Sequence, residues 1–254
     1  MAEYQKVGSY DFVAEPFCSD FRGHMAIGVL GNLLLNVAEF HASDRGFGII
    51  TINEGHYTWV LSRLVLEFVD DAPRQTEKFT IETWVESVYR LFTERDFAIL
   101  DKAGNPLGYA RSVWAMIDMD TRKPVDLLST YEGGITGYVC DKECPIERPG
   151  KVKVISSEPA CTLTTRYSDI DINGHVNSIK YIDHILDLFP LDLYKNKRVK
   201  RFEIAYVNES HYGDTLQFFC DDKGGDEYHI EVKKNNGEIV CRSNCLLYTS
   251  PSPR

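Results

Sequence analysis

Residues 25–40 read MAIGVLGNLLLNVAEF, and only Asn32, Asn36 and Glu39 interrupt the apolar run. Spacings of four and then three put those three side chains on one narrow stripe of a helix. A helix that is polar along a single stripe must be covered around most of its circumference. The chain after it supplies the cover. Residues 56–69, 76–91, 92–100 and 107–119 are rich in Thr, Val, Ile, Trp and Tyr and read as strands, with a Gly104, Asn105 turn ahead of Pro106. The unit is one strand, one buried helix, then about four strands.

From Asp120 to Ser157 periodicity fades among prolines and the Gly133, Gly134 pair, which reads as a linker crossing the surface. The order then recurs. A strand at 161–167 leads to a helix at about 175–189, whose one-sided stripe of Val176, Ile179, Ile182, Ile185, Leu186 and Phe189 is ended by Pro190. Strands at 199–208, 215–221, 228–234 and 238–246 follow. Residue-level echoes support a repeat: Ser19, Asp20, Gly23, His24, Met25 against Ser168, Asp169, Gly174, His175, Val176. Arg63, Leu66, Phe68, Val69, Asp70, Asp71 likewise runs parallel to Arg201, Ile204, Tyr206, Val207, Asn208, Glu209. Parallel crossovers are missing, so the expected fold is α+β, a tandem (double) hot-dog in which a curled antiparallel sheet wraps each central helix. The expected domains are 1–125, a linker at 126–157, and 158–247. Residues 248–254 turn to Ser and Pro and resemble translated adapter sequence, excluded from the fold.

The chain of 254 residues is 43% hydrophobic and 26% charged, which excludes disorder and a small disulfide scaffold. Its formal charge of -10 argues against broad nucleic-acid or anionic-membrane binding, which requires clustered positive charge. No segment reaches the roughly 18 apolar residues of a membrane span, and the N-terminus lacks a signal pattern, so a cytoplasmic location is expected. The fold begins within about ten residues of Met1, which leaves no room for a plastid transit peptide and points to a bacterial origin. Seven scattered cysteines suggest reduced thiols, and Cys140 and Cys144 lack a second pair or a His for a metal site. Gly46 and Gly48 form only a fragment of a dinucleotide fingerprint.

Chemistry concentrates in the second copy, where Asp171, Asn173 and His175 stand at alternate positions and end in the Asn173, Gly174 turn that opens the predicted helix. A helix N-terminus carries unpaired N–H groups and about half a positive charge, which suits stabilisation of an oxyanion in acyl transfer. The alternative is that Asp171 or Asn173 merely caps the helix and His175 lies in its first turn. The first copy reads Phe21, Arg22, Gly23, His24 there, keeping the turn but losing, on this reading, the acidic and amide groups.

Asp171, Asn173, His175, Val176 and Asn177, followed by Lys180, Tyr181 and Ile182, resemble the signature of the acyl-acyl carrier protein (acyl-ACP) thioesterases, double hot-dog enzymes of plants and bacteria. The likeness covers most of residues 9–245, including Arg95 with Asp96, a 110–116 stretch containing Trp114, and Thr121 with Arg122. It implies that Asp171, Asn173, His175 and Glu209 are catalytic. The residue after the Glu completes the family's site as Cys and is Ser210 here, the fifth candidate catalytic residue. A neutral hydroxyl is a far poorer nucleophile than a thiolate. Direct hydrolysis is therefore expected: Glu209, with His175 assisting, takes a proton from water, Asn173 and helix-start N–H groups hold the oxyanion, and Asp171 orients its neighbours.

The resemblance further implies an acyl-chain pocket inside the first domain and no metal or organic cofactor. The partner would be acyl carrier protein, itself acidic, with a homodimer as an open option. Lys195, Lys197, Arg198 and Lys200, with Arg201 beside them, form the strongest local positive field and the expected docking patch, against a plain solvated loop as the alternative. Two rival functions stand beside hydrolysis of acyl-ACP. One is an acyl-coenzyme A thioesterase of the same fold, separable by comparing the two thioesters. The other is a non-catalytic acyl-binding protein, which would bind without turnover.

Overall fold

A computed structural model describes residues 5–249 apart from the side chains of residues 131–133, and divides the chain into two units that meet between Glu147 and Arg148. The first unit runs β1 (Gly8–Val13), α1 (Ile27–Asp44), α2 (Ile49–Glu54), β2 (Tyr57–Phe68), β3 (Lys78–Val88), β4 (Thr93–Asp101) and β5 (Pro106–Asp118). Its strands pair antiparallel in the order β1-β3-β4-β5-β2. The apolar circumference of α1 explains the arrangement: Leu30, Leu34, Val37 and Ala38 pack against Leu66, Phe79, Ile81, Phe97, Ile99 and Ala110. Each such side chain taken fully out of water contributes about 1.5–3 kcal/mol.

The second unit runs β6 (Cys161–Thr164), α3 (Ser178–Leu186), α4 (Leu191–Asn196), β7 (Lys197–Tyr206), β8 (Thr215–Gly224), β9 (Glu227–Lys234) and β10 (Ile239–Thr249). Its sheet order β6-β8-β9-β10-β7 repeats the first unit's connections strand for strand, and every pair is antiparallel. Ile179, Tyr181, Ile182 and Ile185 form the buried face of α3. Two copies of one helix-in-sheet topology make the double hot-dog that the sequence implies. Among the described residues no helix is long and apolar enough to cross a membrane.

Several boundaries differ from the sequence reading, each for a local reason. The second helix starts at Ser178 rather than near His175, because the Asn177 side chain accepts the Ile179 N–H at 2.9 Å and so caps the helix itself. It ends at Leu186, and Pro190 precedes the separate short helix α4. α2 follows Gly48 and carried no periodic signal at six residues. Residues read as linker pack onto the first unit: Cys144 and Ile146 are buried with Val65 and Trp84, and Arg111 donates to both their carbonyls at 2.8 and 3.0 Å. β10 continues through Tyr248 and Thr249, paired with Arg198 and Lys197, with Leu247 buried. The strand therefore extends into the segment read as a tail, whose residues 250–254 lie outside the described residues.

Candidate active site

The turn that carries Asp171, Asn173 and His175 is built by Asp171. Its Oδ1 accepts the backbone N–H of Asn173 at 2.8 Å and of His175 at 3.3 Å. Its carbonyl accepts the Gly174 N–H at 3.1 Å, and its own N–H donates to the His175 carbonyl at 2.8 Å. Gly174 sits at φ +79°, where a side chain is strained. The turn is pinned to the 208–211 segment by the Val176 N–H donating to the Ser210 carbonyl at 2.7 Å, and by a bridge between His175 and His211. The His175 Nε2 thereby lies 3.4 Å from Glu209 Oε2, with the His211 ring edge-on at 5.0 Å. Asn173 is exposed on the same turn. Four of the five predicted residues thus occupy one solvent-facing constellation.

The fifth does not. Ser210 is fully buried, and its hydroxyl lies beside that of Tyr181 with neither making a hydrogen bond of good geometry. Burial raises the Tyr181 phenol, so this hydroxyl pair offers no base to activate Ser210. Ser210 belongs to the packing beneath the site rather than to its surface.

The expectation that helix-start N–H groups hold the oxyanion is narrowed. The N–H groups of Asn173, Gly174 and His175 are committed to Asp171, that of Val176 to Ser210, and that of Asn177 to the Asp169 carbonyl. Those of Ile179 and Lys180 are bonded to Asn177. With these donors engaged inside the protein, what remains of the expected oxyanion donors is the Asn173 carboxamide and the N–H of Ser178 at the first helical position. Neither Asp171 nor Asn173 caps the helix, so the capping alternative fails as well.

The first unit repeats this turn in detail, and here too the sequence reading needs correction. Asp20 stands where Asp171 does: its Oδ1 accepts the Arg22 N–H at 2.8 Å and the His24 N–H at 3.2 Å, and its carbonyl accepts the Gly23 N–H at 3.0 Å. The acidic residue is therefore retained and only the amide is lost, to an Arg22 that pairs with Asp20 at 3.0 Å. The Met25 N–H donates to the Pro73 carbonyl as Val176 does to Ser210, which puts Ala72 in the place of Glu209. His24 donates from Nδ1 to the Ala72 carbonyl at 2.7 Å, and Asp71 lies 3.8 Å from its Nε2. The frame survives in the first unit without the Asn and the Glu.

A cavity of about 190 Å³ opens within the first unit, lined by Leu35, Ala38, Ala42, Phe47, Trp59 and Trp114 and by the polar Glu39, Thr93 and Arg95. The apolar side of α1 and the strands opposite it form its wall. Burial lowers Arg95 to about 10, and its Nη1 donates to Thr83 at 3.2 Å. Nearby His41 is fully buried and held down to about 3, first by burial and then by Arg95.

The basic cluster is less cationic than its sequence suggests. Lys195 pairs with Asp192 at 2.6 Å, Lys197 with Asp226, and Arg201 with Glu203 at 2.6 Å, while Lys200 lies over the Tyr248 ring. Sequence reasoning also passed over Asp169 and His184, whose side chains meet at 2.9 Å behind the turn. A lone acidic residue and a lone His fifteen positions apart carry no motif signal.

Comparison with known proteins gives the frame. The acyl-ACP thioesterase N-terminal domain model matches residues 9–133, and the acyl-ACP thioesterase C-terminal domain model matches residues 153–246. The crystal structure of an acyl-ACP thioesterase from Bacteroides thetaiotaomicron is 61% identical, with a TM-score of 0.91 over 96% of this chain and 98% of that one. A 12:0-ACP thioesterase from Umbellularia californica shares the fold at a TM-score of 0.84 and 21% identity, covering 98% of this chain and 100% of that one. Among curated proteins, an oleoyl-acyl carrier protein thioesterase of Arabidopsis thaliana is 28% identical over 84% of this chain. A palmitoyl-acyl carrier protein thioesterase of the same plant is 30% identical over 72% of it. The chain spans 62% and 45% of the length of these two relatives.

Proposed function

This chain belongs to the acyl-ACP thioesterase family, and on that footing we propose that it hydrolyses fatty acyl–acyl carrier protein to free fatty acid and carrier, ending fatty-acid synthesis. The observation that carries the reading is the contact of His175 with Glu209 on a turn held by Asp171, with the Asn173 carboxamide exposed beside them. A carboxylate and an imidazole within reach of one water molecule are the parts that general-base hydrolysis requires.

Glu209, helped by His175, takes a proton from water as the oxygen attacks the thioester carbonyl carbon. The carbonyl π pair moves to oxygen, where Asn173 donates a hydrogen bond to the oxyanion. The tetrahedral intermediate collapses, the C–S bond breaks, and the proton held by the Glu209–His175 pair passes to the departing thiolate. Asp171 acts through the backbone by fixing the spacing of Asn173 and His175. No covalent acyl-enzyme is needed. Burial of Ser210 supports this route, because its hydroxyl is withdrawn from water and substrate alike.

The alkyl chain is assigned to the first unit's cavity, whose wall is largely apolar. Docking of the acidic carrier on Lys195, Lys197, Arg198 and Lys200 belongs to the same reading. The field there is reduced by Asp192 and Asp226, so attraction is modest and falls with salt. The test is direct: purified acyl-ACP is incubated with the protein, and the released carrier thiol and free fatty acid are quantified. Stoichiometric release over many turnovers is expected. Tight binding without release would favour the non-catalytic acyl-binding protein.

A further inference from the structure

Next to the active-site turn lies a hydrogen-bonded Asp169–His184 pair that takes no part in the chemistry above. Asp169 closes both ends of the loop at 166–177: its Oδ2 accepts the Arg166 N–H at 2.7 Å, and its carbonyl accepts the Asn177 N–H at 2.8 Å. Its remaining oxygen, Oδ1, receives His184 Nε2 at 2.9 Å from α3, whose ring stands edge-on to Phe218. Asp169 is 5% exposed, so the bond is formed largely away from water. The loop that carries Asp171, Asn173 and His175 is thereby tied directly to α3.

The molecule contains its own control. In the first unit the backbone bonds of this loop recur: the Cys18 N–H donates to Glu15 at 3.0 Å as Asp169 does to Arg166, and the Ala26 N–H donates to the Cys18 carbonyl at 3.0 Å as Asn177 does to Asp169. Helix and turn start at matching positions, His24 answering to His175 and α1 to α3. In that register Cys18 replaces Asp169 and Leu33 replaces His184. The unit that lacks the Asn and the Glu of the site lacks this pair too, yet forms the same turn. The fold does not require the pair, and it accompanies the chemistry.

We infer that Asp169 and His184 are positioning residues for the hydrolytic turn, holding Asn173 and His175 in register with Glu209. The physical need is plain, because a catalytic group displaced by about 1 Å loses on the order of 100-fold in rate. A leucine at 184 would keep the partners of the loop's backbone bonds but remove the tie to α3, so those bonds would open more often. The inference rests on the hydrolase reading for its kinetic consequence and on the structure alone for its effect on the loop.

The experiment compares His184→Leu, which installs the first unit's residue, with His184→Gln, whose amide reaches as the ring Nε2 does. For His184→Leu we expect a kcat on acyl-ACP lowered about 10- to 100-fold with KM within about threefold, and recovery to within about threefold of wild type in His184→Gln. Amide hydrogen exchange read at Arg166, His175 and Asn177 should speed up in His184→Leu and return in His184→Gln, while the circular dichroism of both stays native. Unchanged exchange and unchanged kcat in His184→Leu overturn the inference. So does equal loss in both variants, which marks general destabilisation. If the wild type hydrolyses no acyl-ACP while exchange responds as described, the positioning tie stands and the hydrolase reading is what fails.

Discussion

Replacing Glu209 by Gln removes the proposed base. The carboxylate is 41% exposed and its contact with His175 is 3.4 Å, so as an exposed pair it contributes less than about 1 kcal/mol to stability. In a chain of this size that limits the change in melting temperature to about 4 °C. Gln has nearly the shape of Glu and keeps an acceptor oxygen, but it cannot take the proton of water. General-base assistance contributes about 10²- to 10⁴-fold, equivalent to about 2.7–5.4 kcal/mol of barrier at 1.36 kcal/mol per decade. The expected result is therefore a kcat lower by two to four decades, KM within a few-fold, and a native thermal transition. The assay is continuous detection of the carrier thiol, with substrate varied through KM and melting followed on the same preparation. A kcat within threefold of wild type in the folded variant would refute the assignment of Glu209. A loss of kcat matched by loss of folded protein would refute the argument that the pair is energetically peripheral.

Three further outcomes follow from the geometry. Ser210→Ala should retain most of the activity and be neutral or slightly stabilising, because it deletes a buried hydroxyl that lacks a well-formed bond; activity lost in a folded variant, or an acyl adduct found on Ser210 by rapid-quench mass spectrometry, would restore the hydroxyl as nucleophile. Asn173→Ala and His175→Ala should each lower kcat by about 10- to 1,000-fold, and the double variant should lose less than the product of the two, since both groups act on one transition state; full multiplicativity in kcat would assign them to separate steps. His41 titrates near 6.5 when unfolded and is held down to about 3 when folded, so between those values the unfolded chain binds more protons and acid favours unfolding. The cost accumulates only below about pH 6.5 and reaches at most about 3 kcal/mol by pH 4. His41→Gln should accordingly show a shallower fall of the urea midpoint over that range, and parallel curves would reject the assignment to His41.

How much of this was legible in the chain differs from element to element. The buried helix and the strands around it were readable because a helix with one polar stripe leaves few ways to hide, and the repeat was visible because both copies keep a Gly and a His at the same turn. The motif located Asp171, Asn173, His175 and Glu209 correctly as neighbours. It could not say that Asn177 rather than Asp171 caps the helix, since either residue type is a good cap and only the backbone decides. That single choice moves the helix start by three residues and leaves Ser178 as the first helical N–H. Asp20 was misaligned with Asp169 because the two turns differ in how their acids are spaced from Ser, whereas the hydrogen bonds pair it with Asp171. Burial of Ser210 and pairing of Lys197 with Asp226 depend on partners distant in sequence, which a local reading does not reach, whereas Lys195 meets Asp192 only because the short helix α4 brings residues three apart together.

The central claim is that the unit-two site cleaves thioesters presented by acyl carrier protein. It is tested most directly by measuring kcat/KM for one acyl chain carried first on acyl carrier protein and then on coenzyme A, at low and at high salt. The account predicts at least about tenfold preference for the carrier at low salt, narrowing as ionic strength rises, because recognition of an acidic protein partner is partly electrostatic. Equal rates, or a preference for the coenzyme A thioester, would contradict it and assign the chain to the acyl-coenzyme A thioesterases of this fold.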